Sequence, residues 1–581
     1  MADWADSRLP VFLEAPPDPP APDPIQVDEH TTPRQLVLRT MFGNPSRTLP
    51  GSALIIGHQV GEALVPVVMG LAIDRGIATG DWPATVRWVL VLAAVFAFLS
   101  FSFRFGSRIG FLGMQTVQHR LRTQVTDRII DPRGLSGGHT PGVLLSIATA
   151  DVQRLAMTIA LTLYPVGELA AIVFCGVVLL SISWPLGLLV LLGAPAMLWC
   201  LDKAGNTLRA RSEAEQREAG EAAGAAADLV AGFRVIKGVH AEPEADRRYR
   251  SASGRALAAV IRARRSQGAY VGAMEAVSAV FIVLVGVLAG IEAVNGALTV
   301  GQLITVVGVT QVAMGPLSQL GSNFGKFWVA GHASAKRVLM VLQAPYVREE
   351  GTGTAPHGDP TPVRLTGVRS GTGTVDLEFP GRGTTAVVCD ADTAADATAL
   401  LSRARAAGGA AAHAGDTDLY SLTENAALAA VRVAPHTSTL FEGTVAENVA
   451  VAADGADDRV AAALLAAACD DVIEVLPQGL QTSVGEAGRL LSGGQRQRVS
   501  LARALAADTA TLVLVDPTSA VDSVTEATIA ERLGGLRADR ATVIFTHSPA
   551  LIAAADTVLT VSGAEVTVAA RGAADPIEVI R

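Results

Sequence analysis

The sequence predicts an all-α membrane domain of six spanning helices followed by a separate α/β domain. Three observations carry this. The 581 residues are 50% hydrophobic and only 17% charged, with a mean hydropathy of +0.38, too apolar for an ordinary soluble chain. The apolarity is uneven: long apolar runs crowd the chain before Gln343, and the remainder is alanine-rich and broken by charge. The length also exceeds the about 100–200 residues usual for one domain.

Residues 1–31 are rich in Pro and Asp and contain no apolar core of a signal peptide, so a disordered tail is expected there. Thr32–Met41 precedes the first apolar segment. Six segments then approach the ~20 residues that a bilayer span requires: 50–73, 85–107, 157–181, 184–201, 268–291 and 298–322. Only Ser181–Pro185 separates the third from the fourth, which predicts a tight turn on one side of the membrane. Long polar stretches, 108–156 and 202–267, connect the second to the third and the fourth to the fifth. Both keep a helical pattern and carry most of the arginines, among them Arg120, Arg122, Arg128, Arg247, Arg248 and Arg250. The opposite connections carry almost none, Arg75 excepted. The positive-inside rule therefore places the long connections and both termini in the cytoplasm of a multi-pass protein of the cell membrane.

Charged groups inside a span cost ~2.5–3.5 kcal/mol on insertion scales and usually face a cavity or partner. Glu62, Glu168 and Glu275 are such groups. As an acidic trio they suit a cationic or amphipathic substrate; alternatively they pair with arginines or with a partner subunit.

The net charge of −9 and pI near 5.6 argue against a nucleic-acid partner. Cys175, Cys200, Cys389 and Cys469 are far apart with no CxxC spacing, so neither a metal site nor a disulfide framework is expected.

After a Gly/Thr/Pro-rich linker, expected at 343–362, the α/β domain at 363–581 contains Leu491-Ser492-Gly493-Gly494-Gln495-Arg496-Gln497-Arg498. Ser492 and the glycines would open a helix whose first N–H groups point at an anion, and glycine lets backbone approach a phosphate closely. In nucleotide-binding α/β domains a phosphate loop of the form GxxxxGK[ST] follows a strand. Thr385–Val388 reads as that strand, but Cys389-Asp390-Ala391-Asp392-Thr393-Ala394-Ala395-Asp396-Ala397-Thr398 follows it. Glycine and lysine are both missing, and the chain has no lysine after Lys336. Asp390, Asp392 and Asp396 stand where a triphosphate would sit, and like charges at close range repel.

The LSGGQ stretch and the landmarks around it resemble the ATP-binding cassette (ABC) transporters. The resemblance covers about residues 32–575 and identifies the second domain as an α/β P-loop NTPase-like cassette and the first as an exporter-type membrane domain. It implies an elbow helix at Thr32–Met41 and coupling helices near Pro141–Asp151 and Leu229–Lys237. Counting from Gln495, Val515 falls at the magnesium-carboxylate position and Asp516 at that of the catalytic Glu, a methylene shorter. His436 replaces the Q-loop glutamine, and Val368–Thr372 lacks the adenine-stacking aromatic. His547 matches the switch histidine, Ser519–Asp522 the D-loop, and Val484–Gly488, with Glu486, a loop that exporters place near the coupling helices.

The losses are sorted. Groups that would hold and split ATP in this cassette are damaged; those presented to a partner, Leu491, Ser492, Gly493, Gly494, Gln495, Ser519 and Asp522, remain. The resemblance therefore implies the degenerate subunit of a heterodimer. A second half-transporter with an intact phosphate loop and catalytic Glu would hold most of the ATP and Mg²⁺ and move a small molecule or peptide. A siderophore-type importer on the same fold and a non-transporting regulatory or scaffold subunit are the alternatives.

Overall fold

The computed structural model describes residues 23–204, 206–354, 360–371, 373–436, 439–453, 455–507, 509–570 and 578–580, with backbone alone at 198, 200–204, 206–209, 321, 322 and 578–580. The chain divides into two units, Met1–Arg128 with His139–Gln343, and Ile129–Gly138 with Ala344–Arg581.

The first unit is helical. It comprises α1 (Pro33–Met41), α2 (Pro45–Ala72), α3 (Trp82–Ile130), α4 (Pro141–Ser146), α5 (Val152–Ala156), α6 (Ala160–Ile182), α7 (Trp184–Ala204), α8 (Asn206–Ala231), α9 (Phe233–Gly238), α10 (Glu242–Val294) and α11 (Val300–Leu342). Helix α3 crosses into the second unit with its last two residues. Among the described residues, five helices are long and apolar enough to cross a membrane: Pro45–Ile77, Trp82–Ile130, Pro141–Ile182, Glu242–Val294 and Val300–Leu342. The fourth expected span is helical as α7, but its described apolar part, Trp184–Met197, is shorter.

Local sequence explains the helix starts. Thr32 accepts the Gln35 N–H while the Gln35 side chain accepts the Thr32 N–H, a reciprocal cap that satisfies two otherwise orphaned donors. Thr299 and Gln302 repeat this at α11. Helices α2, α6 and α11 pack together. The polar connections are helical, as expected: α3 and α10 run 49 and 53 residues. Pro141–Asp151 is α4 plus one π-helical turn, Ile147–Asp151. Asp151 is buried there, accepting from Ser334 Oγ at 2.9 Å and lying 3.1 Å from Arg337 Nε, so the turn is tied to α11. The second expected coupling helix is shifted: Leu229–Ala231 still belong to α8, and α9 starts after a break at Gly232.

Two expectations at segment ends are corrected. The expected tail falls partly outside the described residues, but 23–31 pack: Ile25 is buried, and its backbone exchanges hydrogen bonds with the Gln124 side chain at 3.2 and 2.9 Å. The expected linker is not free over its first part. Arg133 stacks on Tyr346 at 3.8 Å, and Arg348 donates to the Pro132 carbonyl at 2.9 Å and pairs with Glu424. Charge-assisted and stacking contacts thus order residues that composition alone reads as linker.

The second unit is α/β. A four-stranded sheet, order β2-β1-β4-β5, is built from β1 (Val363–Ser370), β2 (Gly373–Phe379), β4 (Ala411–Ala414) and β5 (Thr417–Asp418). A seven-stranded sheet has the order β11-β10-β9-β3-β8-β7-β6, from β3 (Gly383–Val388), β6 (Val431–Ala434), β7 (Thr511–Val515), β8 (Ala541–Phe545), β9 (Thr557–Ser562), β10 (Glu565–Ala570) and β11 (Glu578–Ile580). Strands β3, β6, β7 and β8 run parallel. The buried runs Leu512–Leu514 and Ala541–Phe545 are what strands covered on both faces require. Helices α12 (Ala391–Leu401), α13 (Glu424–Ala430), α14 (Val445–Ala450), α15 (Asp457–Ala466), α16 (Asp470–Val475), α17 (Gly493–Leu505), α18 (Ser523–Leu536) and α19 (Pro549–Ala554) complete the unit.

Candidate functional site

In an open parallel sheet, ligands bind outside the carboxyl ends of the strands. Here β3, β6, β7 and β8 bring Cys389 and Asp390, His436, Asp516 and His547 to that one edge. Val515 pairs with Phe545 across β7 and β8, and the Asp516 N–H donates to the Phe545 carbonyl at 2.9 Å. A cavity of about 620 Å³ opens between α12 and the ends of β6 and β7, lined by Ala395, His436, Val515 and Asp516 among others.

No loop separates β3 from α12. Strand β3 ends at Val388, and Asp390 is already the N-cap of α12. Its carboxylate accepts the Thr393 N–H and the Thr393 hydroxyl, each at 2.8 Å. These bonds hold the Asp390 carboxyl below the usual carboxylate range. A helix start that could receive an anion is occupied by the chain's own anion.

The expected trio of aspartates is corrected at Asp396. This residue is 5% exposed. It accepts from Arg369 Nε at 2.8 Å, from the Arg369 N–H at 2.9 Å and from Arg405 Nη2 at 2.8 Å. Burial alone would raise its pKa, but the two guanidiniums and the backbone donor carry it below the ordinary value. Asp396 therefore ties α12 to β1 rather than repelling a triphosphate. Asp392 and Ala395 are exposed on α12. Cys389 is buried, and burial pushes its thiol up to about 12.

The groups expected to hold magnesium–ATP at this edge are replaced or engaged. Val515, at the end of β7, is half-buried and offers no oxygen ligand, and the Asp390 oxygens are engaged. Among the described residues, no group of three His, Cys, Asp or Glu side chains is placed to hold a metal ion. Asp516 has a left-handed backbone, φ 42°, which costs energy for a residue other than glycine, though Asp is among the types that tolerate it. His436 and His547 are exposed at their strand ends.

The LSGGQ helix start has the opposite character. Ser492 is the N-cap of α17 and is exposed with Gly493. Its hydroxyl accepts the Gln495 N–H, and its N–H donates to Gln495 Oε1 at 2.9 Å. Leu491 is a correction: its side chain is buried in the hydrophobic core beneath the helix. Gly494 is needed for a close approach, since a Cβ there would lie 2.8 Å from the Ala520 carbonyl oxygen. Asp522 caps α18, accepting from the Val524 and Thr525 N–H groups at 3.1 and 3.0 Å, and this lowers its pKa. Glu486 is exposed beside Gly485 and Ala487, both at positive φ.

In the helical unit, Glu168 is 6% exposed and lines a cavity of about 360 Å³ with His58, Phe103, Tyr164, Asn323 and Phe327. Glu62 and Glu275 are exposed and do not line it, so the acidic trio does not converge. Period and charge identified three intramembrane carboxylates; helix packing selects one. Gly167 permits this, since a Cβ there would lie 2.9 Å from Ile55 and 3.1 Å from Gln59 on α2.

Comparison with known proteins decides the family. Residues 51–317 match the family described as ABC transporter transmembrane region, and residues 398–519 match the family described as ABC transporter. The chain belongs to the ABC transporters. This ABC transporter is 29% identical over 527 residues to a multidrug efflux ATP-binding/permease protein of Mycobacterium tuberculosis, covering 88% of the chain but only 43% of that protein. It is 27% identical over 526 residues to an ATP-dependent lipid A-core flippase of a Shewanella species, covering 84% of the chain and 85% of the flippase. In fold it is similar to a bacterial Atm1-family ABC exporter solved with ATP bound, with a TM-score of 0.69 at 22% identity over 90% of the chain and 94% of that structure.

Sequence reasoning missed several groups in this ABC transporter. Gln497 donates to the Asp516 carbonyl and to Ser519 Oγ, both at 3.0 Å, and accepts the Ala520 N–H at 2.7 Å. It clamps the Asp516–Ala520 loop to the signature helix. Its position inside LSGGQRQR was the one available signal. Arg369 and Arg405 carry no local signal, because their partner Asp396 lies 27 and 9 residues away in the chain.

Proposed function

We propose that the chain is one subunit of a two-chain, ATP-driven exporter of the cell membrane, with its cassette in the cytoplasm. Its signature helix acts on ATP and Mg²⁺ held by the second subunit, while its own nucleotide site is idle. The contrast between two helix starts carries this reading. At α12 the Asp390 carboxylate takes the Thr393 N–H at 2.8 Å. At α17 the exposed Ser492–Gly493 start has no acidic residue in its first turn. The positive end of the α17 dipole and the Gly493 and Gly494 N–H groups suit a γ-phosphate from outside the chain, where charge develops during hydrolysis. At α12 the same dipole is offset by a fixed negative charge. Asp516 and His547 would then be the remains of a general base and a γ-phosphate sensor.

The similarity to proteins described as a multidrug efflux permease and a lipid A-core flippase supports outward movement of an amphipathic molecule. It gives no support to an importer.

The test is ATP turnover by the chain reconstituted with the subunit that co-purifies from its native membrane. Ser492→Arg should lower turnover by about 10²–10³-fold, the usual loss when a preorganised donor is removed from a developing charge. Asp390→Ala should leave turnover nearly unchanged. The reverse pattern inverts the live and idle sites. Recovery of the chain only as a homodimer, or turnover indifferent to both changes, overturns the reading.

A further inference from the structure

The cavity around Glu168 has a chemistry that the nucleotide sites do not use. Glu168 Oε1 accepts from Asn323 Nδ2 at 2.7 Å, whereas Oε2 is buried with no hydrogen-bond partner. An unpaired buried carboxylate oxygen is costly, most of all within a bilayer, and such groups mark binding sites.

His58, also on the cavity wall, supplies a second acceptor. Its Nδ1 lies 2.9 Å from the Leu99 carbonyl oxygen. A carbonyl only accepts, so this contact places a proton on Nδ1, and the tautomer with that single ring proton presents Nε2 as an acceptor. The walls carry the rings of Phe103, Tyr164 and Phe327, and among the described lining residues there is no lysine or arginine. The cavity thus combines a carboxylate oxygen, a neutral acceptor and aromatic faces. Oε2 has no hydrogen-bond partner, although the same walls carry the Gln59 and Gln319 amides and the Tyr164 hydroxyl.

We propose that this cavity binds a protonated primary amine with an apolar body, its ammonium shared between Glu168 Oε2 and His58 Nε2. A primary ammonium offers three N–H donors. Its charge is favoured over aromatic faces, more so when desolvated, and a charge-assisted bond to a carboxylate is about twice as strong as a neutral one. A quaternary ammonium would satisfy the charge but not the two acceptors. A neutral amide could donate one N–H to the carboxylate but would leave its charge uncompensated. The role of the bound amine as cargo rests on the exporter reading; binding itself does not.

The test uses the full chain in lipid nanodiscs without nucleotide or partner, titrated with the fluorescent primary amine dansylcadaverine. We expect saturable binding that phenethylamine displaces and N-acetylphenethylamine does not. Glu168→Gln should weaken binding by about 10-fold or more, as loss of a charge-assisted bond predicts. His58→Phe should weaken it about 3-fold or more, for a lost neutral acceptor. Absence of saturable binding to the folded wild-type chain, equal displacement by the acetylated competitor, or unchanged affinity in Glu168→Gln overturns the proposal. Should Glu168→Gln not fold, the competitor comparison and His58→Phe decide it. Amine binding that persists while the reconstituted pair shows no turnover removes the exporter reading and leaves the site.

Discussion

The carboxylate of Asp390 accepts both the backbone N–H and the hydroxyl of Thr393 at 2.8 Å. Strand β3 therefore passes into α12 through a side-chain cap, with no glycine-rich turn. A phosphate bound at this helix start would compete for the same Thr393 N–H. The isolated full-length chain should show no saturable ATP binding at residues 389–398, with or without Mg²⁺, in photolabelling mapped by mass spectrometry. Asp390→Ala should not restore binding, because no lysine is present in the cassette. It should instead cost about 1 kcal/mol of stability, as loss of an N-cap does.

Asp396 makes the cassette acid-sensitive. Its folded pKa lies below the ordinary value, so its contribution to stability is fully present above the unfolded carboxylate pKa of about 3.9. That contribution is lost as pH falls through the lower, folded value. Asp396→Asn should destabilise the chain at neutral pH by about 1–3 kcal/mol, discounted from a fully buried pair because Arg369 is 72% exposed. The same variant should flatten the loss of thermal stability below about pH 4. An unchanged pH profile in a thermal-unfolding series would contradict the assignment.

Gln497 links the signature helix to the loop after β7 through three hydrogen bonds. Gln497→Ala should cost about 1 kcal/mol, since the exposed Ser519 and Ala520 can turn to water for their lost partner. In the reconstituted pair it should also lower turnover, because Ser519 and Ser492 lose their common support. Gln497→Glu keeps an acceptor for the Ala520 N–H but removes the donor, and should recover only part of the loss.

Lengthening Asp516 to Glu should not raise turnover of the pair. Val515 still offers no oxygen, and Asp390 still fills the helix start. Asp516 sits at φ 42°, a region in which Asp is enriched, so the change should slightly lower the unfolding temperature. A large gain in turnover would show that this edge is a live site.

Cys389 and Cys469 should resist alkylation. Burial pushes each thiol up to about 12, so at pH 8 almost no thiolate, the reactive form, is present. Iodoacetamide labelling followed by peptide mapping should find both unmodified in the folded chain and modified after denaturation.

What the sequence alone determined is what is encoded locally. Apolar runs of bilayer length, the arginine-rich connections and the LSGGQ stretch each depend on neighbouring residues. So do the strand Thr385–Val388 and the helix start at Ser492. The absence of lysine after Lys336 needs no coordinates at all. What only the tertiary structure decided depends on groups far apart in the chain. Asp396 looked like one of three repelling carboxylates until folding placed it against Arg369, 27 residues away. Glu62, Glu168 and Glu275 were equivalent until the packing of α2, α6 and α11 buried Glu168 against Asn323, 155 residues distant. Leu491 belongs to the LSGGQ stretch, yet its side chain fills the core. Periodicity and motif spacing report which residues share a strand or helix. A carboxylate's role follows from which cation or amide the fold sets beside it, and that pairing has no local signal.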